Sequence, residues 1–130
     1  MKAELSKDVR IRRNLNYDVL HSIERRISNQ IRAEFESEIS DIKGENEKFY
    51  KEERDFMEQT KKILRKISPQ TLVRVRTQVG KNSEVIQEYI GHIQREFKYN
   101  DGTFNFISTG EYDDKPFTIG FSCLLSFEVL

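Results

Sequence analysis

Proline and glycine are almost absent from the first half of this 130-residue chain. Between Asp18 and Ser68 there is no proline and only one glycine, Gly44. The other five glycines and most of the aromatic residues follow Pro69. Because glycine and proline disfavour helices and aromatic residues favour strands, the sequence predicts an α+β fold. A long N-terminal helix or helical hairpin should precede a C-terminal antiparallel β-meander, which divides the chain into a helical oligomerisation segment (1–68) and a β-rich domain (69–130).

Cysteine, histidine and long apolar runs are also scarce. The one cysteine, Cys123, excludes an internal disulfide framework and a cysteine zinc site, and its neighbours predict a small buried side chain. His21 and His92 lack the spacing of metal ligands, and Asp113-Asp114 is typical of a solvated turn. No run approaches the roughly 20 apolar residues that cross a bilayer. With no catalytic or cofactor motif in the sequence, we expect a cytoplasmic, non-enzymatic protein with no cofactor, no metal and no membrane partner.

Apolar residues in the proline-free half recur every three or four positions. Polar residues continue the same stripe at Asn46, Glu53 and Thr60. The mean step is about 3.6 residues, the period of a straight helix. The apolar members are Leu20, Ile23, Ile27, Ile31, Phe35, Ile39, Ile42, Phe49, Phe56, Ile63 and Ile67.

Two shapes satisfy this stripe. A continuous helix from Asn16 to Ile67, capped by Asn14 or Asn16, would be about 75 Å long. A small sheet could not cover such a rod, so the rod predicts a homo-oligomer whose interface is the apolar stripe from Leu20 through Ile63. Alternatively, the polar residues around Gly44 form a turn, and two helices fold back on each other as an αα-hairpin.

Alternation and turn residues predict strands after Pro69. Residues 71–79 alternate, with Arg74 and Arg76 on the face opposite Val73 and Val75, which is typical of a half-exposed strand. Residues 84–99 fit either a helix or a strand. The aromatic residues can fill the core of a small sheet or stack on bases. Turns are predicted at 80–83, 100–102 and 110–116, and one long final strand at 117–129.

Charge is distributed unevenly although the net charge is zero. Residues 59–83 contain seven basic residues and no acid, whereas residues 34–58 contain ten acids and four basic residues. The basic block joins the end of the helix to the first strand. A second basic cluster, ahead of the predicted helix, could be an arm on a phosphate backbone, a short strand or a solvated terminus. Its members are Lys2, Lys7, Arg10, Arg12 and Arg13.

These patterns favour two classes of function. The first is a non-enzymatic assembly protein whose helices self-associate and whose β-rich half engages another macromolecule. In this case the basic block of residues 59–83 forms a basic lip on the β-rich half. The second is an oligomeric protein that sequesters or senses a nucleotide-like anion at subunit junctions. Nucleic acid is a less favoured partner because the sequence pI is near 6.8. The candidate anion-binding residues are Arg74, Arg76, Lys81, Arg95, Tyr99 and Tyr112.

Overall fold

The chain forms two helices and one six-stranded sheet. A computed structural model describes the backbone of residues 1–26, 29–80, 84–94, 102–109 and 116–130, and the side chains of these residues except 26 and 29–33. The sheet is antiparallel throughout and has the order β1-β6-β2-β3-β4-β5. The predicted α+β class, with helices ahead of a β-meander, is therefore confirmed. The elements are β1 (Lys2–Glu4), α1 (Lys7–Arg26), α2 (Asn29–Lys66), β2 (Val73–Gln78), β3 (Ile86–Ile93), β4 (Thr103–Ser108), β5 (Phe117–Gly120) and β6 (Leu124–Val129).

The first helix begins well before the predicted caps. Asn14 and Asn16 lie inside α1, so both cap assignments are wrong. The hydroxyl oxygen of Ser6 accepts a hydrogen bond from the Asp8 amide at 3.3 Å, which is the contact of an N-cap residue. Asp8 then lies in the first turn, where a carboxylate favours the helix dipole. The second basic cluster is consequently helical from Lys7 onward, while Lys2 lies in β1 at the edge of the sheet.

The two helices form a hairpin, but it does not turn at Gly44. Helix α2 runs for 38 residues straight through Gly44, a length of about 57 Å. Helix α1 ends at Arg26 and packs antiparallel to α2, since Arg13 contacts Glu53 whereas Asn16, further along α1, contacts Asn46. The predicted helical hairpin is therefore confirmed, whereas the single rod and the turn at Gly44 are wrong.

The apolar stripe of α2 is covered within one chain. Ile39, Phe56 and Ile63 are buried, and Phe56 and Ile63 belong to the same core cluster as the sheet residues Val73 and Phe127. Because α1 and the sheet already cover the stripe, no second copy is needed for that purpose. Of the other predicted interface residues, Leu20, Ile23, Phe35, Ile42 and Phe49 are half-buried, and the side chains of Ile27 and Ile31 lie outside the described residues.

The ambiguous segment 84–99 is a strand over Ile86–Ile93, and most of its described residues belong to that strand. Strand β3 pairs with β2 and, further on, with β4. A side chain at Gly91 would meet the carbonyl oxygen of Ile107 and approach the Phe106 ring to 2.9 Å, so the close approach of β3 and β4 requires glycine there. Gly102, with φ of 78°, lies immediately before β4, where the hairpin turn was predicted. Residues 95–101, including most of that turn, lie outside the described residues.

The long final strand predicted at 117–129 is two strands. A turn over Phe121–Cys123 separates β5 from β6, closed by a hydrogen bond of 3.2 Å from the Cys123 amide to the Gly120 carbonyl. Strand β5 lies at one edge of the sheet beside β4, whereas β6 lies between β1 and β2. The prediction failed because the turn residues Phe121, Ser122 and Cys123 include none of the glycine, proline, asparagine or aspartate residues that usually mark a turn.

The short β5–β6 connection requires a strongly curved sheet. The chain from Gly120 to Leu124 reaches at most about 14 Å, whereas four strand spacings in a flat sheet are about 19 Å. The inward curvature is visible in the rings of Phe104 on β4 and Phe127 on β6, whose centroids are 6.0 Å apart across two intervening strands. The concave face therefore holds the core.

Aromatic side chains fill that concave face. Phe104, Phe106, Phe121 and Phe127 are all buried in one cluster with residues of α2. Their edge-to-face and tilted contacts are the arrangements that aromatic rings prefer. These four residues are core residues and are not available to stack on bases.

Candidate functional site

The two arginines of the predicted anion site lie on the convex, outer face of the sheet. They project from β2 on the side opposite the buried Val73 and Val75. Arg74 Nε lies 2.9 Å from Glu88 Oε1, and Arg76 Nε donates to Glu88 Oε2 at 3.1 Å. Arg74 also lies 3.6 Å from a carboxylate oxygen of Glu128. Both guanidinium groups therefore already have carboxylate partners within the chain.

Opposite charges alternate across this outer face. In the strand register, Lys2 faces Glu128 and Glu128 faces Arg74, while Arg76 faces Glu88. Directly opposed residues of antiparallel strands project from the same face, so these pairs form continuous rows. Three cations, Lys2, Arg74 and Arg76, balance three anions, Glu4, Glu88 and Glu128, and these six side chains have no net charge. The two residues of the predicted basic lip that lie on β2, Arg74 and Arg76, are thus balanced by neighbouring carboxylates.

The remaining candidate anion-binding residues lie outside the described residues. This applies to Lys81, Arg95, Tyr99 and Tyr112, and also to Asp113-Asp114. An anion site built from these positions with Arg74 and Arg76 stays a prediction.

The second basic cluster contains the most deeply buried charge in the described part of the chain. The guanidinium of Arg10 donates to the carbonyl oxygens of Leu124 at 2.9 Å and Phe121 at 3.2 Å, which fastens α1 to the β5–β6 turn. Its Nε lies 3.5 Å from Glu53 on α2. Burial lowers the pKa of Arg10 from its ordinary value, and the Glu53 carboxylate acts in the opposite direction. Sequence reasoning missed this role because a basic residue near a chain terminus is usually solvated.

Glu53 is shared by two arginines. Arg13 Nε lies 3.0 Å from both carboxylate oxygens of Glu53, and the Arg13 guanidinium stacks over the Tyr50 ring at 5.3 Å. Asn46, a second polar residue of the stripe, accepts a hydrogen bond from Asn16 across the same hairpin. The acidic stretch of α2 therefore meets the basic cluster of α1 within one chain. Of the three polar positions of the stripe, Asn46 and Glu53 make interhelical contacts, whereas the Thr60 hydroxyl bonds to Phe56 of its own helix.

An apolar ridge runs along the side of α1 that faces away from α2 and the sheet. Ile11, Leu15 and Val19 follow one another at intervals of one helical turn; Leu15 and Val19 are 48% and 45% exposed, whereas Ile11 is half-buried. Arg10 and Asn14, on the side of α1 that lines the β5–β6 turn, are buried. We call Ile11, Leu15 and Val19 the outer ridge of α1.

Residues with catalytic or metal-binding chemistry are dispersed. His21 is exposed and stacks on Tyr17, whereas His92 is half-buried on the outer face of the sheet. Cys123 is half-buried rather than fully buried as predicted, and its thiol donates to the Gly120 carbonyl at 3.2 Å. Within the described residues, no three histidine, cysteine, aspartate or glutamate side chains lie close enough to hold a metal ion. No helix in the described part of the chain is long and apolar enough to cross a membrane.

Comparison with protein-family models, curated proteins and solved structures found no match to this chain.

Proposed function

We propose that the protein is a non-enzymatic assembly protein that forms a homodimer through the outer ridge of α1. The observation that carries the proposal is the continuous apolar ridge Ile11-Leu15-Val19 on the free side of that helix. Scattered exposed apolar residues are ordinary on protein surfaces, but exposed Leu15 and Val19 continue the row of half-buried Ile11 along one helix face, and such a row forms a seam for another helix.

The sequence around the ridge is complementary to itself. If two α1 helices pack antiparallel with Leu15 at the two-fold axis, Ile11 of one copy lies against Val19 of the partner subunit. Arg12, on one flank of the ridge, stays paired with Glu45 of its own chain. The ridge therefore supplies both sides of an apolar seam about one two-fold axis, which supports a second copy of this chain as its occupant.

Charge also argues against a polyanion as the main partner. The outer face of the sheet has balanced charges, and its arginines are held by Glu88 and Glu128. A nucleic-acid backbone would have to displace these carboxylates, at a cost in free energy. That the β-rich half engages another macromolecule, and that a nucleotide-like anion binds at Arg74 and Arg76, both stay predictions.

The test is the oligomeric state of Leu15→Lys, measured by sedimentation velocity over a range of concentrations. The wild-type chain should be a dimer. The dissociation constant of the variant dimer should be at least about tenfold higher, because two half-exposed leucines leave the interface. The matched control is Tyr17→Lys, which changes an exposed large residue of the same helix away from the ridge.

A second position on the ridge extends the test. Val19→Lys should weaken the dimer as Leu15→Lys does, because the antiparallel arrangement places Val19 against Ile11 of the partner subunit. A wild-type chain that is monomeric at all concentrations, or a Leu15→Lys variant that dimerises like the Tyr17→Lys control, would show the proposal to be wrong.

A further inference from the structure

A cationic cleft lies between α1 and the β5–β6 turn, away from the outer ridge. It has a volume of about 330 Å³, near the lower limit for small-ligand sites. None of the described side chains that line it is a carboxylate. The polar groups around it are those of Arg10, Arg13, Asn14, Gln78, Ser122 and Cys123.

The charges at this cleft do not balance. Arg10 and Arg13 share the single carboxylate of Glu53, which lies behind them on α2, so the three side chains carry one excess positive charge. The Nε atom of Arg10 is buried and makes no hydrogen bond within the described part of the chain, since Glu53 is 3.5 Å away. Burial lowers the pKa of Arg10 despite Glu53, as expected for a cation that is incompletely compensated.

Both arginines are held in place before any ligand arrives. Arg10 is fixed by the carbonyl groups of Phe121 and Leu124, and Arg13 is fixed by Glu53 and the Tyr50 ring. A guanidinium has five N–H donors, and these contacts leave donors on Arg13 for a further acceptor. Binding an anion here would therefore require little ordering of side chains.

We propose that this cleft binds a small oxyanion, the phosphate or carboxylate group of a low-molecular-weight ligand. Arg13 and the exposed hydroxyl of Ser122 donate hydrogen bonds to the oxyanion. Arg10 supplies a fixed positive charge on the buried side of the cleft. One negative charge on the ligand balances the one excess positive charge of the cluster. The site differs in position and in residues from the arginine pair on the outer face of the sheet.

Inorganic phosphate and acetate are the probes. Each is titrated into the full-length protein at constant ionic strength, with chloride as the replacement ion, while backbone amide chemical shifts are followed by NMR. We expect saturable shifts confined to residues 10–14 and 120–123, and the probe that saturates at lower concentration identifies the group that is bound. Arg13→Gln should weaken binding by about tenfold, the loss expected for one charge-assisted hydrogen bond.

Two further variants keep the test decisive. Ser122→Ala, at an exposed position where folding is not at risk, should weaken binding by about threefold. Arg12→Gln is the matched control, because Arg12 neighbours Arg13 but pairs with Glu45 outside the cleft, and its affinity should stay within about twofold of wild type. Shifts that do not saturate, or equal losses in Arg13→Gln and Arg12→Gln, would overturn the proposal.

Discussion

Replacing Glu53 by glutamine removes the carboxylate that two arginines share. In the folded protein this carboxylate lies 3.5 Å from Arg10 and 3.0 Å from Arg13. The side chains of Arg10, Arg13 and Glu53 are only 6%, 22% and 16% exposed, so water screens the interaction weakly. Glutamine has nearly the same shape and keeps an acceptor for Arg13, which confines the change mainly to charge.

The expected loss is a substantial part of the total stability. Removing one partner from a fully buried ion pair costs about 3–5 kcal/mol, because the other charge stays desolvated. Arg10 keeps its two carbonyl acceptors and Glu53 is partly exposed, so we expect Glu53→Gln to lower the free energy of unfolding by about 2–3 kcal/mol. Domains of this size have a total stability of about 5–15 kcal/mol.

Glu45→Gln provides a matched control on the same helix. Glu45 accepts hydrogen bonds from Arg12 and Asn16, but its side chain is 39% exposed and that of Arg12 is 62% exposed. An exposed pair of this kind contributes about 0–1 kcal/mol. Urea unfolding followed by circular dichroism at helical wavelengths measures both variants. If Glu53→Gln falls within about 0.5 kcal/mol of Glu45→Gln, the burial argument is refuted.

Three substitutions test the packing of the fold by the same unfolding assay. Gly91→Ala should destabilise the protein by more than about 2 kcal/mol, because the new methyl group meets the backbone of Ile107 and the Phe106 ring; a smaller loss would mean that β3 and β4 can separate readily. Gly44→Ala should instead stabilise it by about 0.5–1 kcal/mol, since nothing lies within 4 Å and alanine favours a helix interior; a loss of stability would contradict a continuous α2. Thr60→Val should change stability by less than about 1 kcal/mol, because the hydroxyl bond that the described residues show is to the Phe56 carbonyl of its own helix, and a larger loss would require a further partner.

Local patterns predicted the classes of the main elements. The proline-free half is helical, and α2 continues in phase through Gly44 because one helix face from Phe35 to Ile63 is covered. Alternation in 73–78 predicted β2 with its arginines outward. These features follow from the backbone preferences of neighbouring residues and from one-sided burial, both of which are visible in a short window of sequence.

The candidate sites were harder to predict because they depend on residues far apart in the chain. Arg74 and Arg76 were placed on the correct face, but their partners Glu88 and Glu128 come from β3 and β6. The excess charge at Arg10 arises only when α1, α2 and the β5–β6 turn meet. A local sequence pattern does not show contacts between segments that are far apart in the chain.

The absence of proline before Pro69, with Gly44 the only glycine there, determined that this half is helical, and the stripe determined that one face of α2 must be covered. Only the tertiary structure decided what covers it. From the sequence, either a second copy or a second helix of the same chain could cover it; in the structure α1 folds back on α2, and the curved sheet with Phe104 and Phe127 covers the rest. The physical reason is that burial of an apolar face is non-directional: periodicity specifies the face, and it is the geometry of the whole chain that specifies its partner.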